Sequence, residues 1–264
     1  MAPSPTQLVG VKVLLFDVLG TTVDWRNTLT RTLTSAASAA AAANPALAPL
    51  AASADWPALV HAWHDAYTTF SSAVAAGTTP RIPIEQHFRT SLAEQLHAHG
   101  LAPLFAPAQL DALAQAWGAL DGWRDAAAGL DALRALGLRV STLSNGSRAQ
   151  LQGMAQHAAL RWSSIHSAED FGSFKPDPRV YLGAAAAEGV APEECAMVAA
   201  HLPDLEAAAR VGLRAIYVER PEEEQAGAAE AKRIRAEVVD LWVGVEEDGF
   251  LSVAEGLKKL GVGQ

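Results

Sequence analysis

The chain is short of several things, and each shortage excludes something. It has one cysteine in 264 residues, so no internal disulfide framework holds it together, and it suits a reducing compartment. Basic side chains are scarce: 20 Lys and Arg stand against 29 Asp and Glu, a formal net charge of −9. A general nucleic-acid binder needs a basic face to neutralise phosphates, so that class is set aside. No stretch approaches the roughly 18 consecutive apolar residues of a membrane span. Ala36 to Ala43 comes nearest, and it is brief and weakly apolar. Met1 to Gly10 carries Pro3, Pro5 and Gly10 and lacks the basic start and apolar run of a secretory signal. It reads as a short flexible lead to a soluble, cytoplasmic protein. No internal repeat is visible.

What is present suits a packed globular protein: 50 % hydrophobic and 19 % charged residues. A chain of this length forms one domain, or a core with a smaller module. Short apolar runs at Val11 to Phe16, Arg139 to Ser144, Cys195 to Ala200 and Arg214 to Glu219 end in polar or turn residues and read as buried strands. Asp240 to Val245 suggests an edge strand, and Cys195 reads as inert packing. Helical patterns at Leu130 to Leu136, Pro178 to Glu188 and Asp204 to Val211 separate the strands, and Ser252 to Leu260 reads as a last helix. Strands alternating with helices predict an α/β fold with a parallel, Rossmann-like sheet.

The interval from Trp25 to about Leu120 contains no strand pattern and is too long for one crossover. Turn points at Asn44-Pro45, Gly77 to Pro80 and Gly100 to Pro103 divide it into four or five helices. Trp56, Trp63, Tyr67, Phe70, Phe88 and Trp117 are interleaved with the alanines, as in a packed module. The expected division is a core of residues 8–24 and 121–264 with an inserted helical cap of residues 25–120. Glu222 to Glu237, charged and alanine-rich, reads as an exposed helix or loop.

Ligands of parallel sheets bind beyond the carboxyl ends of the strands. Four polar clusters fall there: Asp17 with Thr21, Ser144 with Asn145, Lys175, and Asp204. Singly, each has an ordinary structural use. An aspartate or serine caps a helix, Ser-Asn-Gly closes a turn, and a lysine before proline sits in a solvated loop.

In this order and strand context they resemble a known family. Phe16-Asp17-Val18-Leu19-Gly20-Thr21, Leu143-Ser144-Asn145-Gly146-Ser147, Phe174-Lys175-Pro176-Asp177-Pro178-Arg179-Val180-Tyr181 and Met197 to Ala207 resemble the four motifs of the haloacid dehalogenase superfamily. The closest likeness is to its type II 2-haloacid dehalogenases. The resemblance implies a Rossmann-like core with a mobile helical cap, and Asp17 as the nucleophile that displaces halide and forms an ester. Lys175 would keep Asp17 ionised, and Thr21 and Ser144 would hold the carboxylate or the substrate acid. Backbone N–H groups near Leu19 and Asn145 would add donors. Asp204 would position Lys175 and activate water, with Tyr181 beside the site.

Phosphatases of the superfamily carry a second aspartate two residues after the nucleophile, where this chain has Leu19. They carry an acidic metal ligand after the fourth motif's strand, where it has Ala200. The expectation is therefore no metal and no cofactor. Type II dehalogenases usually have Trp-Arg-x-x-Tyr in the cap, with the arginine receiving halide. Here the string is Trp63-His64-Asp65-Ala66-Tyr67. Ala199 and His201 stand where serine and asparagine are usual, and Leu19 where an aromatic is common. Substrate contacts are thus expected from Leu19, His64, Tyr181 and His201. The expected partner is a small haloacid, with neither nucleic acid nor membrane, and the resemblance implies a possible homodimer. The alternatives are a magnesium-dependent phosphatase or phosphonate hydrolase, or a silent ligand-binding homologue.

Overall fold

The computed structural model of the chain describes residues 4–262. Met1, Ala2 and Pro3 of the expected lead lie outside that range. Pro5–Gly10 corrects the expectation of a flexible lead: it is a 3₁₀ turn whose Leu8 is fully buried. Its anchor is the Ser4 amide, which donates to Asp240 Oδ1 at 3.1 Å.

Eight strands are present among the described residues: β1 (Val13–Phe16), β2 (Val23–Asp24), β3 (Asp121–Gly122), β4 (Arg139–Ser144), β5 (Ser164–Ser167), β6 (Cys195–Ala199), β7 (Arg214–Val218) and β8 (Leu241–Val243). Six form one sheet in the order β5-β4-β1-β6-β7-β8. Every pairing in it is parallel. β1 is central, and Phe16 pairs with Thr142 on one side and Val198 on the other. The residues after each of these strands therefore emerge along one edge. Side chains alternate across a strand, and β1 shows it directly. Leu14 and Phe16 join the core on one face, and Val13 and Leu15 the core on the other.

Helices cover both faces. α6 (Ala126–Ala135), α7 (Arg148–His157) and α11 (Phe250–Lys259) pack with Phe16; α8 (Pro178–Ala187), α9 (Leu202–Arg210) and α10 (Ala228–Glu237) pack with Leu15. Between β2 and β3, which form a small antiparallel pair, lie α1 (Trp25–Ala43), α2 (Ala48–Ser53), α3 (Trp56–Ala75), α4 (Ile84–Ala98) and α5 (Pro107–Gln115). α1 begins where Asp24 accepts from the Asn27 amide at 3.0 Å, an ordinary N-cap. α3 buries Trp56, Leu59, Val60, Trp63, His64 and Tyr67, spacings of one, three and four that line one helical face. No helix is long and apolar enough to cross a membrane among the described residues.

Candidate active site

Asp17 follows β1, and its amide donates to the Val198 carbonyl at 3.0 Å, extending the sheet by one residue. The residue is 6 % exposed. Oδ1 accepts from the Lys175 ammonium at 2.7 Å. Oδ2 accepts from the Thr21 hydroxyl at 2.7 Å and faces His201 Nδ1 at 3.2 Å. Thr21 Oγ1 in turn accepts the Ala200 amide at 2.9 Å, which locks the two loops together. Gly20 makes this turn possible. Its φ is +77°, and a Cβ there would lie 2.2 Å from Glu223 Oε2, so a side chain would be excluded twice over.

Lys175 lies in the loop before α8, held by Asn145. The Lys175 amide donates to Asn145 Oδ1 at 2.7 Å, and Asn145 Nδ2 donates to the Lys175 carbonyl at 3.3 Å. The ammonium also donates to Asp204 Oδ2 at 2.7 Å. Asp204 Oδ1 accepts from the Tyr181 hydroxyl at 2.6 Å. Asp204 is thus not a helix cap. It sits in the first turn of α9, while Glu224 Oε2 accepts the Leu202 amide at 2.7 Å and does the capping.

The network continues beyond His201. Its Nε2 lies 3.3 Å from Glu223 Oε2, which also accepts from Trp25 Nε1 at 3.2 Å. Glu223 Oε1 accepts from the Arg26 guanidinium at 3.1 Å. From Tyr181 to Arg26 the groups run as an unbroken line in which Asp204, Asp17 and Glu223 alternate with Lys175, His201 and Arg26.

That alternation sets the charge states. Burial pushes the Asp17 carboxyl upward, but the Lys175 ammonium and His201 win and hold it below the ordinary carboxylate range. Burial works against the Lys175 ammonium too, and the Asp17 and Asp204 carboxylates overcome it and raise its affinity for the proton. His201 is disfavoured as a cation by burial, yet hydrogen bonds to Asp17 and Glu223 push it up to about 10. Glu223, in spite of burial, is held below its usual range chiefly by His201.

A cavity of about 590 Å³ opens onto Asp17, Lys175 and Asp204, and Leu19, His64, Asn145, Tyr181 and His201 help to line it. Asp17, Thr21, Lys175, Asp204, Tyr181 and His201, all expected from the sequence, are thus joined by direct contacts. Asn145 reaches the site through the lysine's backbone. Ser144 is not among the cavity-lining residues: it is buried, and its hydroxyl accepts the Gly146 amide at 3.3 Å, closing the turn. His64 is buried in the wall, stacked on Trp25 with ring centroids 4.0 Å apart and 9° between planes. Its Nδ1 has no hydrogen-bond partner among the described residues. Burial lowers its pKa to about 4, so it is neutral in the physiological range.

The sequence reading missed Glu223 with its partners Trp25 and Arg26, and took Tyr67, which lines the cavity, as packing. Glu222 to Glu237 is the exposed loop and helix expected for most of its length, but Glu223, 4 % exposed, is the exception that reaches the site, and helix α10 starts at Ala228. The one local cue was Pro221 ahead of a run of acids, which is ambiguous.

A family profile, haloacid dehalogenase-like hydrolase, matches residues 11–212. The chain belongs to that hydrolase family. Within it, the chain is similar to (S)-2-haloacid dehalogenase 4A of Burkholderia cepacia, with 35 % identity over 112 residues, 42 % of this chain and 48 % of that one. The match spans about half the length of the curated relative. It is also similar to phosphoserine phosphatase of Thermus thermophilus, with 38 % identity over 112 residues, 39 % of this chain and 43 % of that one. A solved L-2-haloacid dehalogenase aligns with TM-score 0.75 and 32 % identity, over 94 % of this chain and 99 % of its own. As a member of this hydrolase family the chain has the expected α/β architecture, a parallel sheet flanked by helices.

Proposed function

We propose that this hydrolase releases halide from small 2-haloalkanoic acids through an ester on Asp17, giving 2-hydroxy acids. The observation that carries the reading is a buried, ionised Asp17 clamped by Lys175 at 2.7 Å, with the apolar Leu19 two residues on. The haloacid dehalogenase relatives support it.

The chemistry follows from those groups. A carboxylate with little water around it is a better nucleophile than a hydrated one, and Lys175 keeps it charged despite burial. One Asp17 oxygen attacks the halogen-bearing carbon, the carbon–halogen bond breaks, and halide leaves with the bonding pair. Halide needs no proton, so no general acid is required where Leu19 stands. A phosphate ester, by contrast, expels an alkoxide that does need one. The aromatic wall around His64 and Tyr67 excludes water and suits the apolar part of the substrate. We read helices α1 to α5 as the cap over this cavity and the enzyme as cytoplasmic.

The phosphatase reading wants a magnesium shell, and the donors do not fit it. Hard divalent cations take six or more oxygens. Here Asp17 and Asp204 already share one ammonium, and Leu19 and Ala200 offer no side-chain oxygen. No group of three or more His, Cys, Asp or Glu arranged to hold a metal occurs among the described residues. The test is free halide from chloroacetate, bromoacetate and 2-chloropropionate, against an Asp17→Asn control. Phosphate release from phosphate esters that depends on added magnesium, with no halide, would replace this reading by the phosphatase.

A further inference from the structure

We propose that His201 and Glu223 act as a proton-handling pair for the second half of the reaction, hydrolysis of the Asp17 ester. This rests on the ester reading above. Three observations carry it. His201 places Nδ1 3.2 Å from Asp17 Oδ2, so it faces the carboxyl group that becomes the ester. Glu223 sits on the opposite nitrogen at 3.3 Å and is itself fixed by Trp25 and Arg26. A carboxylate on one imidazole nitrogen keeps the proton there and leaves the other free to accept, which is the logic of a hydrolytic triad. Asp204, the other candidate base, has one oxygen on the Lys175 ammonium and the other on the Tyr181 hydroxyl.

The substrate step itself would switch His201 on. In the free enzyme, two carboxylates hold it as an imidazolium. Forming the ester converts Asp17 from an anion to a neutral group and removes one of those two partners. His201 then gives its Nδ1 proton to solvent and becomes an acceptor. It takes a proton from water as the water oxygen bonds to the ester carbonyl carbon. It returns that proton to the alcohol oxygen as the carbon–oxygen bond breaks. The remaining proton on the Asp17 carboxyl passes to His201 and restores the ion pair. Over the cycle, substrate and water give hydroxy acid, halide and one proton. The charged groups facing the imidazole are Asp17 and Glu223. Lys175 lies beyond the first and Arg26 beyond the second, with His64 across the cavity.

The experiment is a single turnover with 2-chloropropionate, quenched and read as the mass of the Asp17 peptide. Wild type, His201→Gln and Glu223→Gln are compared across pH. Expected: His201→Gln forms the ester within about tenfold of the wild-type rate and breaks it down about 100-fold more slowly, so the adduct accumulates. Glu223→Gln accumulates less and shifts the pH limb of ester breakdown downward, because an imidazole without its carboxylate is a weaker base. This limb also carries the test if His201→Gln does not fold. The inference is overturned if neither variant accumulates adduct while wild type turns over. It is equally overturned if His201→Gln fails to form ester, or if Glu223→Gln keeps the wild-type pH limb. If wild type itself forms no ester and releases no halide, the haloacid reading fails first, a result distinct from these.

Discussion

The floor and the wall of the cavity are built on different physics. On the floor, the Asp204–Lys175–Asp17–His201–Glu223 line places each charged group within 3.3 Å of an opposite one. The wall is His64 and Tyr67, and a ring stack backs it: the Phe88 and Trp117 rings lie 4.3 Å apart and 8° from parallel, much as His64 lies on Trp25. Such rings gain from burial and stacking and leave the charge of a bound molecule unanswered. The contrast teaches a division of labour. In the proposed reaction the floor fixes what chemistry is available, and the wall what shape of molecule is brought to it. Substitutions on the floor should therefore change rates, and those on the wall stability or affinity.

The strongest test of this division is Asp17→Asn. It keeps the shape and removes the proposed nucleophile, so halide release should fall by at least about 10⁴-fold. Residual release near the wild-type rate would mean that the floor is not where the reaction occurs. Next comes Lys175→Met. Without the ammonium, His201 alone opposes burial and the Asp17 carboxyl rises. The expected result is a loss of about 10³-fold near neutrality and an acid limb of the rate profile displaced to higher pH. An acid limb left in place would show that another group holds Asp17 ionised. Behind the wall, Trp117→Ala should cost about 3 kcal/mol in denaturant unfolding, because the ring is fully buried among Trp25, Trp63, Tyr67 and Phe88. Any ester formed at saturating substrate should keep most of its rate.

The same division explains what could be read from the sequence. Most of the floor was legible because Asp17 and His201 follow strands and Asp204 opens a helix, so a local pattern marks them. Asp17 follows an apolar run, and Asp204 follows Pro203 in the first turn of α9. Strand β5 escaped because Ser164–Ser167 reads Ser-Ile-His-Ser, half-polar and four residues long. It pairs only with β4, at the sheet's edge. Glu223 escaped for a different reason. Its burial is made by Trp25, 198 residues earlier, and by His201, 22 earlier; nothing in Pro221-Glu222-Glu223-Glu224 separates a buried acid from a solvated one. Leu8 is similar: three breakers around it suggest a loose end, and only the folded chain supplies its cover. The helical character of 25–120 was plain, yet which rings would face the cavity was not. That depends on how α1 and α3 pack together.

His64→Phe is the gentlest probe of the wall and separates two uses of the same ring. If His64 serves through its stacked face alone, phenylalanine keeps the contact with Trp25 and removes a buried nitrogen that has no partner. Stability at pH 7.5 should then stay within about 1 kcal/mol or rise slightly, and KM for a haloacid should move by less than about threefold. The pH dependence fixes the sign. In the folded protein His64 stays neutral down to about 4, whereas the unfolded residue takes its proton at the ordinary 6.5. Between those values the unfolded chain binds the extra proton. The wild type therefore loses stability as pH falls from 6.5 towards 4, with a limiting slope of about 1.4 kcal/mol per pH unit. Above 6.5 that loss is absent. The phenylalanine variant lacks the titration, so the difference in unfolding free energy should turn in its favour between pH 7.5 and pH 5. If the variant instead loses ground on acidification, or if its KM rises tenfold with stability unchanged, the ring nitrogen contacts substrate. The wall would then carry part of the recognition now assigned to shape alone.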